Sequence, residues 1–277
     1  MLSSYKNHQV EFGQLHQFSF PTNEDPFLLT INKDKVKFDF LLRIKRNSSK
    51  AIVFGSGAYD ASSELRPPIF QRHKWIQYFD ETTIFYNDPT LYLNKLNIGW
   101  GVGIGERHYL TEIAEILIIL LEKLSIKNEK TLFYGSSAGG FMSLMLSGLI
   151  KESTALINNP QTIVWNYNDK HVNALFSTIE PQLTRNEIIN RHTKRLNIIE
   201  FYKDIQYVPK INYVQNVSCL RDVEKHLNPF LIGLEQLDDH YYTDEIKVTL
   251  YSDKELGHSP LKLNESLKYI QNIVSNL

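Results

Sequence analysis

Residues 135–139 read Gly-Ser-Ser-Ala-Gly, a G-x-S-x-G pattern centred on Ser137. The apolar run Thr131-Leu132-Phe133-Tyr134 precedes it, and Phe141-Met142-Ser143-Leu144-Met145 follows with helical spacing. Strand, sharp turn and helix in that order form the setting in which the central serine is presented as a nucleophile. Small residues are needed there because strand and helix must approach closely around a strained turn. Gly135, Gly139 and Gly140 meet that need. Ser137 then stands at a helix N-terminus, where free N–H groups favour developing negative charge. The N–H of Ala138 is expected to supply half of an oxyanion hole.

A serine needs a base, and the base needs an acid that orients it. In an open parallel sheet both belong on loops at the carboxyl ends of strands. His258 fits the base: it follows the strand-like Lys247–Tyr251 and the loop ending in Gly257, and precedes the last helix. The other histidines are weaker. His226 and His240 sit on or beside a helix, His171 and His192 fall in a segment without strand pattern, and His73 and His108 precede the serine. Asp222 fits the acid, on the loop after strand 211–215, with Asp253 and Glu224 as rivals. The order serine, acid, histidine is then satisfied. A second oxyanion donor is expected from the loop Gly55-Ser56-Gly57-Ala58-Tyr59, as the N–H of Gly57 or of Ala58.

The elements that must hold these residues follow in order. Residues 1–25 are polar and show no clear period. Phe27–Asn32 and Lys35–Ile44 read as two strands joined by a turn at 32–35. Ala51–Phe54 and Thr83–Tyr86 read as buried central strands, 109–124 as a long helix, and Ala155–Asn158 as a further strand. Residues 163–210 lose the strand pattern, with helical pieces near 174–176 and 187–199, and are read as a cap inserted into one α/β domain spanning 1–277. Strand 211–215, helix 224–237, strand 247–251 and helix 261–274 complete the chain. Alternating strands and helices predict a mostly parallel sheet covered on both faces. The glycines at 99, 101, 103 and 105 miss the dinucleotide-loop spacing in every register.

Composition narrows the classes. With a net charge of −1 there is no basic field for nucleic acid. The longest apolar run, 116–121, is too short to span a bilayer, and the N-terminus lacks the apolar run of a signal peptide, so a cytoplasmic location is expected. One cysteine, Cys219, excludes an intrachain disulfide and a cysteine metal cluster. No HExxH or clustered His/Asp set argues for a metal.

With Ser137, Asp222 and His258 in place, the chain resembles the α/β-hydrolase superfamily over roughly 27–277. A narrower resemblance rests on 54–58 (FGSGA), 67–70 (PPIF), 87–90 (NDPT), 99–101 (GWG), 134–140 (YGSSAGG), 158–162 (NNPQT), 221–227 and the Gly257-His258 pair. These look like bacterial polysaccharide-biosynthesis proteins related to capsule O-acetyltransferases with a Ser-Asp-His triad. The resemblance implies acetyl transfer through acyl-Ser137, with no bound cofactor, acetyl-CoA as donor, and a polysaccharide or oligosaccharide hydroxyl as acceptor. Self-association or contact with capsule-assembly proteins is a further implied partnership. Trp100, Asn159 and Gln161 are the expected substrate-binding residues, with Trp75, Trp165 and Tyr167 as other aromatic surfaces. A glycan esterase or deacetylase would use the same residues, and a non-catalytic scaffold of the same fold is the remaining alternative.

Overall fold

The computed structural model describes residues 2–60, 62–242 and 245–277. The apolar runs of the sequence lie side by side in one nine-stranded sheet. Its strands are β1 (Lys6–Glu11), β2 (Phe27–Lys33), β3 (Val36–Arg43), β4 (Ala51–Phe54), β5 (Thr82–Tyr86), β6 (Thr131–Ser137), β7 (Thr154–Pro160), β8 (Lys210–Asn216) and β9 (Ile246–Tyr251), in the spatial order β1-β2-β3-β5-β4-β6-β7-β8-β9. Among the described strands only β3 runs antiparallel to its neighbours, β2 and β5. It is reached through a two-residue turn in which Asp34 and Lys35 both take positive φ, 48° and 65°, the conformation that matches the twist of a tight hairpin.

β4 to β8 are buried along almost their whole length, so they read as unbroken apolar runs. Alternate side chains feed two cores. Val53 and Phe133 join the larger one, with helices α1 (Tyr109–Lys123) and α2 (Ala138–Leu149). Ile52, Phe54, Leu132 and Tyr134 join the smaller one on the other face. β1 is the element the sequence reading missed. It is held by its parallel pairing with β2 and is largely exposed, so it carries no apolar period.

Between β7 and β8 the chain forms α3 (Asp169–Ile179), α4 (Arg185–Leu196) and α5 (Ile198–Ile205), whose buried faces join the larger core. Thr184 and Glu187 close a capping box at the start of α4, and Asn197 caps α5. After β8 come α6 (Leu220–Asp222), a single π-turn (Val223–Leu227) and α7 (Asn228–Glu235); α8 (Leu263–Ser275) ends the fold. The expected helix 224–237 therefore starts earlier and widens in its middle. Pro229 has no N–H to give to the carbonyl of Lys225. That carbonyl instead accepts from Asn166 Nδ2 at 2.9 Å, and the carbonyl of His226 accepts from Thr162 Oγ1 at 2.7 Å. No helix among the described residues is long and apolar enough to cross a membrane.

β4 crosses to β5 on one side, whereas β6 lies on its other side, so the strand order reverses between β4 and β6. The carboxyl ends of these two strands border the crevice where ligands of open α/β sheets bind. A Cβ on Gly135 would lie 2.1 Å from the Gly139 carbonyl oxygen, and one on Gly139 would lie 2.6 Å from that of Gly55.

Gly135→Ala must displace backbone, so it is expected to cost about 3 kcal/mol or more, whereas Gly13→Ala, with nothing within 4 Å, should stay within about 0.5 kcal/mol. Urea unfolding midpoints of the two variants measure this. His226 is buried, and loss of solvation lowers its pKa from 6.5 to about 4. Above pH 6.5 it is neutral in both states, and its contribution is fully present. As pH falls from 6.5 towards about 4 the unfolded chain takes up a proton that the fold refuses, and stability is lost. His226→Asn should therefore flatten the dependence of Tm on pH across that window; an unchanged slope would contradict the assignment.

Candidate active site

The turn from β6 into α2 holds Ser137 at φ 55°, ψ −124°. The residue is strained because its neighbours fix both sides of it: Gly139 packs on the Gly55 loop and Gly140 on Pro160. Ser137 Oγ lies 2.9 Å from His258 Nε2, and His258 Nδ1 lies 2.6 Å from Asp222 Oδ2. Neutral His258 donates its Nδ1–H to the carboxylate and accepts the serine hydroxyl at Nε2. The Asp222 side chain is 5% exposed and that of His258 36%, so the acid is sealed while the base faces the crevice.

The rival residues are engaged elsewhere. Asp253 Oδ1 accepts from the N–H groups of Glu255 and Leu256 and caps its own turn. Glu224 is exposed on the π-turn. His226 accepts from the N–H of Thr162, and His192 pairs with Glu180.

His258 reaches Ser137 because three asparagines hold its loop. Asn216 Nδ2 donates to the carbonyls of Asp253 and Gly257, and Asn159 Nδ2 to that of Ser259 at 3.1 Å. Asn159 Oδ1 in turn accepts from the N–H of Asn216 at 2.7 Å. Asn158 accepts from the N–H of Leu261 and donates to the Tyr251 hydroxyl. Asn158, Asn216 and Tyr251 were not singled out from sequence; the paired amides at the end of β7 were the available signal.

All three expected substrate-binding residues are corrected here, because Gln161 is as fully buried as Trp100 and Asn159. Asn159 is fully buried in that asparagine lattice, and Trp100 is fully buried at φ 52°, so neither presents a surface to a sugar. Trp100 instead donates its indole N–H to Gln161 Oε1. With its oxygen so occupied, the Gln161 amide turns its nitrogen to Ser137 Oγ at 3.0 Å, while its backbone N–H bonds the Ser137 carbonyl. Trp100 is held in turn by Asp88, whose carboxylate accepts from the N–H groups of Gly101 and Thr90. Burial pushes that carboxyl up and these bonds oppose the rise. This is the physical content of the NDPT and GWG segments.

The expected oxyanion donors also divide. Ala138 opens α2, where the backbone N–H has no partner within the helix. The N–H of Gly57 is already given to Gln71 Oε1 at 2.9 Å, and Gln71 Nε2 donates to the Ala58 carbonyl at 2.8 Å. Gln71 thus clamps the loop and occupies the Gly57 N–H. Above the base, Tyr167 approaches His258 with ring centroids 6.3 Å apart and also meets Trp100, while Arg221 lies over its face. Cys219, Asp222 and His258 offer possible metal-ligating atoms within 4.8 Å of one another, but two of these three groups already serve the serine.

No protein-family model and no curated protein matches this sequence. Solved structures do match in fold. The capsule O-acetyltransferase of Neisseria meningitidis serogroup A superposes with a TM-score of 0.64 at 15% identity, over 88% of this chain and 96% of that one. A histidine-to-alanine mutant of the same enzyme in complex with CoA matches at 0.61 and 17% identity, over 99% and 100%. The Gap123 glycosylation-associated complex of Streptococcus agalactiae gives 0.58 at 13%, over 88% of this chain and 46% of that one. An S-formylglutathione hydrolase from Agrobacterium tumefaciens gives 0.58 at 13%, over 94% and 95%. The chain has the α/β-hydrolase fold.

Proposed function

We propose that the protein is a serine acyltransferase that O-acetylates a bacterial capsular or surface polysaccharide through an acyl-Ser137 intermediate. The observation that carries the acyl-Ser137 chemistry is the continuous hydrogen-bonded relay Ser137–His258–Asp222. The likeness in fold to a capsule O-acetyltransferase, including one solved with CoA, supports an acetyl thioester as donor. The Gap123 likeness favours work beside other glycan-assembly proteins. A CoA thioester as donor would favour a cytoplasmic reaction.

In the first step His258 Nε2 takes the proton of Ser137 Oγ as the oxygen attacks the thioester carbonyl. The N–H groups of Ala138 and Ala58 hold the oxyanion. The C–S bond breaks, the leaving sulfur takes the proton from His258, and Ser137 carries the acetyl group. In the second step an acceptor hydroxyl gives its proton to His258 and attacks the acyl carbonyl, and Ser137 Oγ recovers the proton as it leaves. Asp222 fixes the tautomer throughout. Gln161 Nε2 donates to Ser137 Oγ, which leaves the serine proton free to point at His258 and lowers the cost of charge on that oxygen. An esterase would share the first step and use water in the second, and the S-formylglutathione hydrolase likeness keeps that reading alive.

Intact-mass measurement after brief incubation with acetyl-CoA should find one acetyl group on the wild type and none on Ser137→Ala. An adduct from an activated acetyl ester but not from acetyl-CoA would favour the esterase; no adduct from either would sink catalysis at Ser137. Acylation by the activated ester should fall roughly 10²-fold in Gln161→Leu, the scale of losing one preorganised donor. Trp100→Phe, which frees the Gln161 amide to rotate, should fall less. Equal rates in wild type and Gln161→Leu would remove Gln161 from the mechanism.

A further inference from the structure

Arg72 follows Gln71, the residue that clamps the Gly57–Ala58 loop, and its backbone is left-handed at φ 64°, ψ 11°. Its guanidinium is packed rather than free. Nη2 donates to Ser136 Oγ at 2.6 Å, and the group lies over the rings of Trp75 at 5.4 Å and Tyr134 at 5.5 Å. Cation–π contacts of this kind order the fork before any ligand arrives. Nη1, however, is buried without a hydrogen-bond partner among the described residues. Arg43 likewise leaves Nε without a partner, but its Nη2 serves the carbonyls of Phe79 and Glu81 rather than a side chain next to the serine. Arg195 gives its guanidinium to the carbonyls of Gly105, Glu106 and Arg107, and Arg107 pairs with Glu112. A buried N–H of a cation left without an acceptor costs about 1–3 kcal/mol, so the orphaned Nη1 calls for an explanation.

The position of this group points to its use. Ser136 immediately precedes Ser137, and a Cβ on Gly57 would lie 3.7 Å from Ser137 Cβ and 3.6 Å from Gln71 Oε1. Gln71 therefore lies beside the serine, and Arg72, the next residue, reaches the hydroxyl of Ser136 adjacent to it. The chain as a whole carries a net charge of −1, so no general field draws anions in and a local cation must do it.

We propose that Arg72 is an anion subsite flanking Ser137, which takes a phosphate or carboxylate carried by one of the two reactants. The guanidinium fork suits either group, and Nη1 supplies the donor. The site's place in catalysis rests on the acyl-transfer reading, but its binding does not. The anion has two possible sources: the phosphates of a nucleotide thioester donor, or an acidic group on the acceptor glycan.

Isothermal titration calorimetry at low salt distinguishes them with two matched pairs, CoA against pantetheine and glucose 1-phosphate against glucose. In the wild type the charged member of at least one pair should bind about tenfold or more tightly than its neutral partner. Arg72→Gln should erase that preference, Arg72→Lys should keep part of it as a point charge, and Arg66→Gln, an exposed arginine nearby, should keep all of it. The pair that responds names the source. The proposal is overturned if neither pair shows a preference, or if the preference survives in Arg72→Gln. Should Arg72→Gln fail to fold, Arg72→Lys decides: its preference drops several-fold if the fork holds the anion, and equals that of the wild type if the anion binds elsewhere. Because binding is read without turnover, an unreactive Ser137 would defeat the acyl-transfer reading and leave this result standing.

Discussion

The structure depends on the approach of the α2 N-terminus to the ends of β6 and β4. Three backbone segments meet there with no room for a Cβ: Gly135 under Gly139, Gly139 against Gly55, and Gly140 against Pro160. That crowding forces Ser137 into a conformation an L-residue avoids and turns its side chain away from the sheet. It also brings the free N–H of Ala138 beside the loop of Gly57 and Ala58. The strained serine and the approach of the Gly55–Ala58 loop to the start of α2 are therefore consequences of one packing event.

Histidine placement is a separate problem, solved with amides. A loop that must put an imidazole within 3 Å of a fixed oxygen cannot be left to apolar contact, which has no direction. Asn158, Asn159 and Asn216 supply direction by bonding the carbonyls and N–H groups of the loop after β9 from the ends of β7 and β8. These groups are buried, so an unmade bond would carry its full desolvation cost, and the lattice holds as a unit. Gln161 continues the same logic on the other side of the serine, with Trp100 fixing the amide's sense and Asp88 fixing Trp100.

The three side chains the sequence singles out for the relay meet at hydrogen-bond distance because their legibility was topological. Each follows a strand whose apolar run is plain, and the sheet order carries those strand ends to one crevice. What was not legible turned on burial. Trp100, Asn159 and Gln161 have the residue types of a sugar site, and nothing local says that all three are wholly enclosed. Gly57 was as good a donor as Ala58 until Gln71, fourteen residues on, claimed its N–H. β1 was missed because an edge strand paired on one side leaves no apolar period, and the π-turn because it depends on which side chains can reach the carbonyl that Pro229 abandons.

Hydrolysis and transfer share everything up to the acyl-serine, so the relay cannot separate them. The difference lies in what reaches the acyl carbonyl second, and that is governed by whatever roofs His258. Here the roof is Tyr167, at the entrance to the helices between β7 and β8, with Arg221 on its outer face. It is not loosely attached. Thr162, one residue beyond Gln161, donates its hydroxyl to the carbonyl of His226, and Asn166, one residue before Tyr167, donates to that of Lys225. The same π-turn follows directly on Asp222. The acid, the amide at the serine and the aromatic roof are thus tied through a single widened turn of helix, so a change in the roof's position would reach the relay through hydrogen bonds rather than through the apolar core.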